Sequence, residues 1–263
     1  MKISIFTANQ RRHNYLINLL SKVCTELFVV QESRSLFPGK FKNFYKNSIS
    51  MEKYFEKVSK AEKKLFGDQY LNKYKKKIKI LPISYGDLNN CSINMLSDFL
   101  KSKYYIVFGS SYIKGPLINF LVKKKAINIH MGISPFYRGT DCNFWALYDG
   151  NPNLVGSTIH YLSKGLDSGP ILYHAVSKFK KNKFEYTMSA SKSAFHSLVK
   201  KIKNKSLTKI KTIKQNPSLE IRYSKKIDFN DNVIKKYYKK KIKLNKKFDL
   251  DMLKDPFILS QNT

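Results

Sequence analysis

Short apolar runs recur along this chain at intervals that leave room for a helix between each pair, and that alternation limits the fold most. Residues 2–7 alternate apolar and polar, and 27–30, 78–83, 104–108 and 126–130 are further strand-like runs. Between them, 13–20 has helical spacing through Tyr15, Leu19 and Leu20. Residues 51–66 form an amphipathic helix with Met51, Phe55, Val58, Glu62 and Leu65 along its seam and Gly67 as its cap. Residues 93–100 and the stretch around 117–122 supply two more helices, while 33–50 has no clean period and reads as loop. Strands alternating with helices at this spacing predict an α/β fold, a doubly wound, mostly parallel sheet. Beyond Gly169 the character changes: 170–177 reads as a strand, and Met188, Phe195, Leu198 and Ile202 mark a helix. From Ser206 the chain is lysine-rich with short apolar pieces, 221–229 among them. The expected division is a main domain over 1–180 and, over 181–263, that helix plus a short lysine-rich C-terminal appendage.

A chain of 263 residues can bury a full core. No run approaches the roughly 20 apolar residues of a membrane span, and MKISIFTANQ turns polar too soon for a signal peptide. Cys24, Cys91 and Cys142 lack metal-ligand or redox spacing, so the chain reads as a reduced, cytoplasmic protein without a metal. The formal net charge is +32, yet 45 of the 50 basic residues are lysine and 5 are arginine. Phosphate and base-edge readers favour arginine, whose planar fork bonds bidentately. Lysine rising with Asn, Ile, Tyr and Phe is what an A/T-rich coding sequence produces, which disfavours nucleic acid as the partner. The excess is uneven, with 23 basic against 4 acidic residues over 178–247, so a polyanion would bind there.

The chemistry concentrates in 126–172, AINIHMGISPFYRGTDCNFWALYDGNPNLVGSTIHYLSKGLDSGPIL. In a strand, Asn128 and His130 share a face about 6–7 Å apart, at the C-terminal end where open α/β sheets place ligands. Asp167 arrives later, ahead of Gly169. An amide, an imidazole and a carboxylate with no hydroxyl or thiol nucleophile beside them suit acyl transfer without a covalent enzyme intermediate.

Four motifs occur in order: Asn128-Ile129-His130; Ser134-Pro135-Phe136-Tyr137-Arg138-Gly139; Gly156-Ser157-Thr158-Ile159-His160; and Asp167-Ser168-Gly169-Pro170-Ile171-Leu172. Together they resemble the folate-dependent formyltransferase family, and the likeness extends upstream through 108–113 to cover roughly residues 1–180. The loop departs from the family at Met131-Gly132, where relatives commonly carry Pro-Ser. The resemblance implies a formyltransferase domain over 1–180 that moves a formyl group from N10-formyltetrahydrofolate to a primary amine, with no metal. It implies catalytic roles for Asn128, His130 and Asp167: N–H donors from the first two to the developing oxyanion, and a carboxylate that orients His130 and helps relay the amine proton. Ser111, Tyr112 and Ile113 match the segment whose backbone reads the pterin ring; Arg138, Gly139 and Gly165 join them around the folate. Thr158 and His160 would support the trio, and Trp145 reads as core.

For the acceptor, residues 7–13, TANQRRH, open the first helix, where free N–H groups and the helix dipole favour an anion. Asn9, Arg11, Arg12 and His13, with Asp141, are the expected acceptor-binding residues, Arg11 and Arg12 facing a phosphate. The absence of G-x-G-x-x-G there argues against a nicotinamide cofactor. The short appendage and the run GTDCNFWALYDGNP look most like sugar N-formyltransferases, implying a nucleotide-linked amino sugar for surface polysaccharide as acceptor. The alternatives are a methionyl-tRNA formyltransferase-like enzyme or a non-catalytic polyanion binder on the same scaffold. The appendage is a candidate element for a homodimer.

Overall fold

The strand β1, Lys2–Ala8, is buried at every residue after the first, because both faces of the sheet it occupies are covered. Ile3 and Ile5 point into one core with Val29, Ile106, Phe108 and Ile129. Phe6 points into another with Val30, Tyr105, Val107 and Leu117, the period-2 division a strand imposes. The computed structural model describes residues 1–33, 48–71, 76–242 and 250–259, so the loop expected over 33–50 lies mostly outside the described residues.

After β1 come α1 (Arg11–Ser21), β2 (Glu26–Ser33), α2 (Ile49–Phe66), β3 (Ile78–Ser84) and β4 (Tyr104–Phe108). Then follow α3 (Gly115–Lys123), β5 (Ile127–His130), β6 (Tyr137–Gly139), α4 (Cys142–Tyr148), β7 (Gly156–Tyr161) and β8 (Ile171–Val176). The chain ends with α5 (Lys183–Lys203), β9 (Arg222–Ser224), α6 (Asp231–Lys239) and β10 (Phe257–Ile258). Eight strands form one sheet in the order β10-β8-β7-β5-β4-β1-β2-β3, and β6 pairs with β9 in a second, two-stranded sheet. The large sheet is parallel except at β7, which runs antiparallel to both β5 and β8. This is the α/β, doubly wound, mostly parallel arrangement the sequence predicts. The connections reverse between β1 and β4, so a crevice opens beyond their carboxyl ends.

Local chemistry sets the element ends. Ser48 Oγ accepts from the Met51 N–H to start α2, and Gly67, at φ 63, ends it with its N–H on the Lys63 carbonyl. The helix expected over 93–100 is replaced by a turn over 93–96 and a 3-10 turn, Ser97–Leu100. A short polar side chain competes there with the helical backbone: Ser92 Oγ accepts from the Met95 N–H.

Residues 183–203, grouped by sequence with the appendage, form α5. Its Ala194, Phe195, Leu198 and Ile202 sit in the same core as β1 and β4, and a fully enclosed side chain such as Phe195 contributes about 2–3 kcal/mol. Downstream, β9 pairs with β6, β10 extends the large sheet beside β8, and α6 places Ile234 and Tyr237 in a third cluster with Tyr54, Phe144 and Phe184.

Candidate active site

Asn128 and His160 face each other in the β5–β7 register, as do His130 and Thr158. That pairing lays Asn128 Nδ2 3.0 Å from His160 Nε2. His160 Nδ1 lies 2.8 Å from the Tyr161 carbonyl and therefore carries the proton, which leaves Nε2 to accept from Asn128. Burial pushes His160 down to about 4 against the opposing pull of Asp167, so the ring is neutral. Asp167 enters from the β7–β8 loop with a left-handed backbone, φ 48. Its Oδ1 accepts from Asn128 Nδ2 at 3.3 Å and its Oδ2 lies 3.3 Å from His130 Nδ1. His130 Nε2 is 3.0 Å from the Tyr137 carbonyl. The three expected catalytic residues thus meet at one point.

The geometry changes what each can do. Both N–H groups of Asn128 are engaged, and both nitrogens of His130 face acceptors, so neither aims a free donor as the sequence reading expected. The two 3.3 Å contacts to Asp167 are the longest that Asn128 and His130 make in the network. They are the ones a carbonyl oxygen entering the cleft can take over.

That cleft has a volume of about 350 Å³ and is lined by Arg12, His13, the backbone and side chains of 107–113, 128–131, Gly139, Thr140 and 162–167 apart from Lys164. Val107, Phe108, Ile113, Ile118 and Leu162 give it apolar walls, and Asn128, His130 and Asp167 a polar end. A flat heterocycle bearing a reactive carbonyl fits such a slot. Ser111, Tyr112, Ile113, Gly139 and Gly165 all line it, but Ser111 is not free: its N–H and Oγ donate to Glu32 at 2.5 and 2.7 Å. Glu32, fully buried, also takes the Gly86 N–H. The sequence reading passed over it, although a carboxylate near the end of an apolar buried strand was the available signal. Tyr112 Oη donates to the Lys164 carbonyl and bridges the two walls. Arg138 does not line the cleft; it ties Glu220 and the Leu166 carbonyl, as a loop anchor does.

The acceptor-side residues divide. Arg12 and His13 line the cleft, whereas Asn9 and Arg11 are not among its lining residues, and Arg11 pairs with Asp68 at 3.1 Å. The helix start expected to take a phosphate already holds an anion of the protein's own: Glu62 accepts from both the Arg12 N–H and its guanidinium, at 3.1 and 2.9 Å. Glu62 read as a seam residue of α2, and only the packing of α2 on α1 reveals this role. His13 Nδ1 accepts from the Ala8 N–H at 2.9 Å, and burial followed by the Arg12 charge holds this histidine well below its ordinary value. Asp141 is exposed yet crowded by protein on its other sides, which raises its carboxyl to about 6 against the pull of Arg12 and Lys226. Water contact on the open side tempers that penalty. Trp145 and Asn143 are buried, and Asn143 Oδ1 accepts from the Gly156 N–H, so both belong to the packing.

The formyl transferase family model matches residues 106–202, the segment that holds β4, β5, β7, β8 and all three residues of the trio. That match covers the middle of the chain, so it is this segment that resembles a formyl transferase. Formyltetrahydrofolate deformylase 2 of Arabidopsis thaliana is 32% identical over 83 residues, and deformylase 1 of the same plant 33% over 81. The alignments span 31% and 30% of this chain but only 23% of either relative's length. Among solved structures, the chain resembles a formyltransferase of Anoxybacillus kamchatkensis in complex with UDP-4,6-dideoxy-4-formamido-L-AltNAc and tetrahydrofolate, at 20% identity, 87% coverage of both chains and a TM-score of 0.50. A 4-N formyltransferase of Francisella tularensis covers 86% of this chain and 77% of its own at 19% identity and a TM-score of 0.52. A phosphoribosylglycinamide formyltransferase of Anaplasma phagocytophilum covers 80% and 89% at 16% identity and the same TM-score. At these identities the likeness is one of fold. Among the described residues there is no cluster of His, Cys, Asp or Glu fit to hold a metal, and no helix long and apolar enough to cross a membrane.

Proposed function

We propose that this protein transfers a formyl group from N10-formyltetrahydrofolate to the primary amine of an acceptor, a nucleotide-linked amino sugar. The observation that carries the reading is the meeting of Asn128, His130 and Asp167 within 3.3 Å contacts at the polar end of an apolar-walled cleft. The folate brings an activated formyl carbonyl. Asn128 Nδ2 releases Asp167 in favour of the carbonyl oxygen, where negative charge gathers as the amine attacks beside the His130 ring. Asp167 stays beside His130, keeps the ring oriented, and helps carry the proton lost by the amine toward the departing folate nitrogen. His160, neutral and fixed on the Tyr161 carbonyl, holds Asn128 in its donating orientation. Arg12, His13 and Asp141 are the proposed acceptor contacts.

The acceptor class is supported by the nucleotide sugar in the Anoxybacillus complex and by the 4-N formyltransferase fold of Francisella. A second reading is favoured by the deformylase relatives: water replaces the amine at the same residues and formate is the product. His130→Ala and Asp167→Ala should each lower the rate by about 10² or more with little change in melting temperature. Formamide formed from an amino sugar supports the transferase; formate released without it supports the hydrolase. Full activity in both variants removes the assigned roles.

A further inference from the structure

The loop that presents Asp167 is held from behind by a side chain from the lysine-rich segment. Gln215 Nε2 lies 2.7 Å from the Asp167 carbonyl and 2.8 Å from the Gly169 carbonyl, so one primary amide donates to both sides of the residue. The two N–H groups of Gln215 are thereby spent, and its Oε1 is buried without a hydrogen-bond partner. A side chain that tolerates an orphaned acceptor to keep two donated bonds is placed for those bonds.

Asp167 needs such support. Its φ of 48 is a left-handed conformation that costs a non-glycine residue free energy unless its surroundings impose it. Gly169 on its far side passes so close to the Tyr161 carbonyl that an added Cβ would sit 1.7 Å from that oxygen. The backbone from 167 to 169 therefore has little room, and its carbonyls point to where Gln215 waits. Gln215 is itself fixed in place. Two residues before it, Ile213 exchanges backbone hydrogen bonds with Ile171 at 2.8 and 3.0 Å. Five residues after it, Glu220 takes the Arg138 guanidinium, whose other nitrogen holds the Leu166 carbonyl.

Resting on the formyl-transfer reading, we infer that Gln215 is a positioning residue: it sets the Asp167 backbone so that the carboxylate meets His130 and Asn128 together. The residue touches no substrate and acts only through Asp167.

The test is a double-mutant cycle with a kinetic and a non-kinetic readout. Gln215→Met keeps the size and removes the donors; Gln215→Lys restores donors to the same place. In the otherwise native enzyme, Gln215→Met should lower kcat about tenfold with KM for the folate within about twofold, as loss of two modest hydrogen bonds to the site requires. Gln215→Lys should recover most of that loss. In an Asp167→Asn background, Gln215→Met should cost nothing further. Equal losses in both backgrounds, or an undiminished kcat in Gln215→Met, would overturn the inference. Should the native protein transfer no formyl group to any acceptor, the functional reading is what fails, and hydrogen exchange over 163–169 then decides on Gln215 by itself. Faster opening of that segment in Gln215→Met supports the positioning role, and unchanged exchange refutes it.

Discussion

The backbone of Asp141 is left-handed at φ 55, and it precedes α4 without making the side-chain cap bond expected of a residue there. Its carboxyl, ordinarily near 3.8, is raised to about 6 chiefly by the protein that crowds it, a penalty the water on its open side reduces. Above pH 6 the folded protein must keep a charge its surroundings disfavour; below 3.8 both folded and unfolded chains are protonated and the penalty vanishes. Asn is isosteric and tolerates this backbone. Asp141→Asn should therefore raise the melting temperature at pH 7, with the gain fading as pH falls through 6 and gone near 3.8. A variant less stable than the native protein at pH 7 would contradict this. The same substitution should weaken turnover of the acceptor, since Asp141 follows the cleft residues Gly139 and Thr140 and is a proposed acceptor contact. His130 and Asp167 are the opposite kind of residue, held by their neighbours and useful only as a set.

Among the elements, the two-stranded β6–β9 sheet does most to tie the lysine-rich segment to the cleft. Ile221 and Arg222 donate their N–H groups to the Phe136 carbonyl, and Thr140 donates to Ser224. Gly139, at φ 92, lies where an added Cβ would stand 2.0 Å from the Ser224 carbonyl oxygen. Gly139→Ala should thus split β9 from β6, destabilise the protein by about 2 kcal/mol or more, and remove activity by displacing the 132–140 loop. A denaturant midpoint equal to that of the native protein would show that the pairing is dispensable. None of this was legible in the sequence. The large strands were, because Ile3, Ile5, Val29 and Ile106 repeat with the period their sheet requires. Asn128 and His130 stood out because they lie two apart on one strand, whereas Asp167 came only from the resemblance of the motif that holds it. The β6–β9 pair has three residues on each side, too few to carry a period, and joins segments some eighty residues apart. His160 read as a supporting residue, but its bond to Asn128 depends on the antiparallel register of β7, which spacing does not disclose. Glu62 was invisible as an anion for the same reason, and Glu32, though marked by its place in an apolar strand, could not be matched to Ser111: their partners come from other elements.

Across the whole molecule, three histidines are buried neutral. Burial lowers His160 and His174 to about 4 and His13 well below 6.5. Each therefore adds stability that is complete above pH 6.5 and lost as pH falls toward 4, because the unfolded chain takes up protons the folded one refuses. His174 links distant parts of the chain, its Nε2 2.9 Å from the Ser134 carbonyl and its Nδ1 accepting from the Lys254 N–H. The melting temperature should hold between pH 7 and 8 and fall steadily between 6.5 and 4, Asp141 alone pulling the other way. A flat profile across that window would mean these rings are not held neutral. The lysine excess is largely a solvated face: Lys209, Lys211, Lys214, Lys225, Lys226, Lys235 and Lys236 are all exposed. The catalytic account rests on the cleft instead, and one assay tests it most directly: formyl transfer from N10-formyltetrahydrofolate to a panel of nucleotide-linked 3- and 4-amino sugars, the native protein beside His130→Ala. The account predicts formamide on at least one sugar, reduced about 100-fold or more in the variant. Formamide produced equally by both proteins, or no formyl transfer to any sugar, would contradict it.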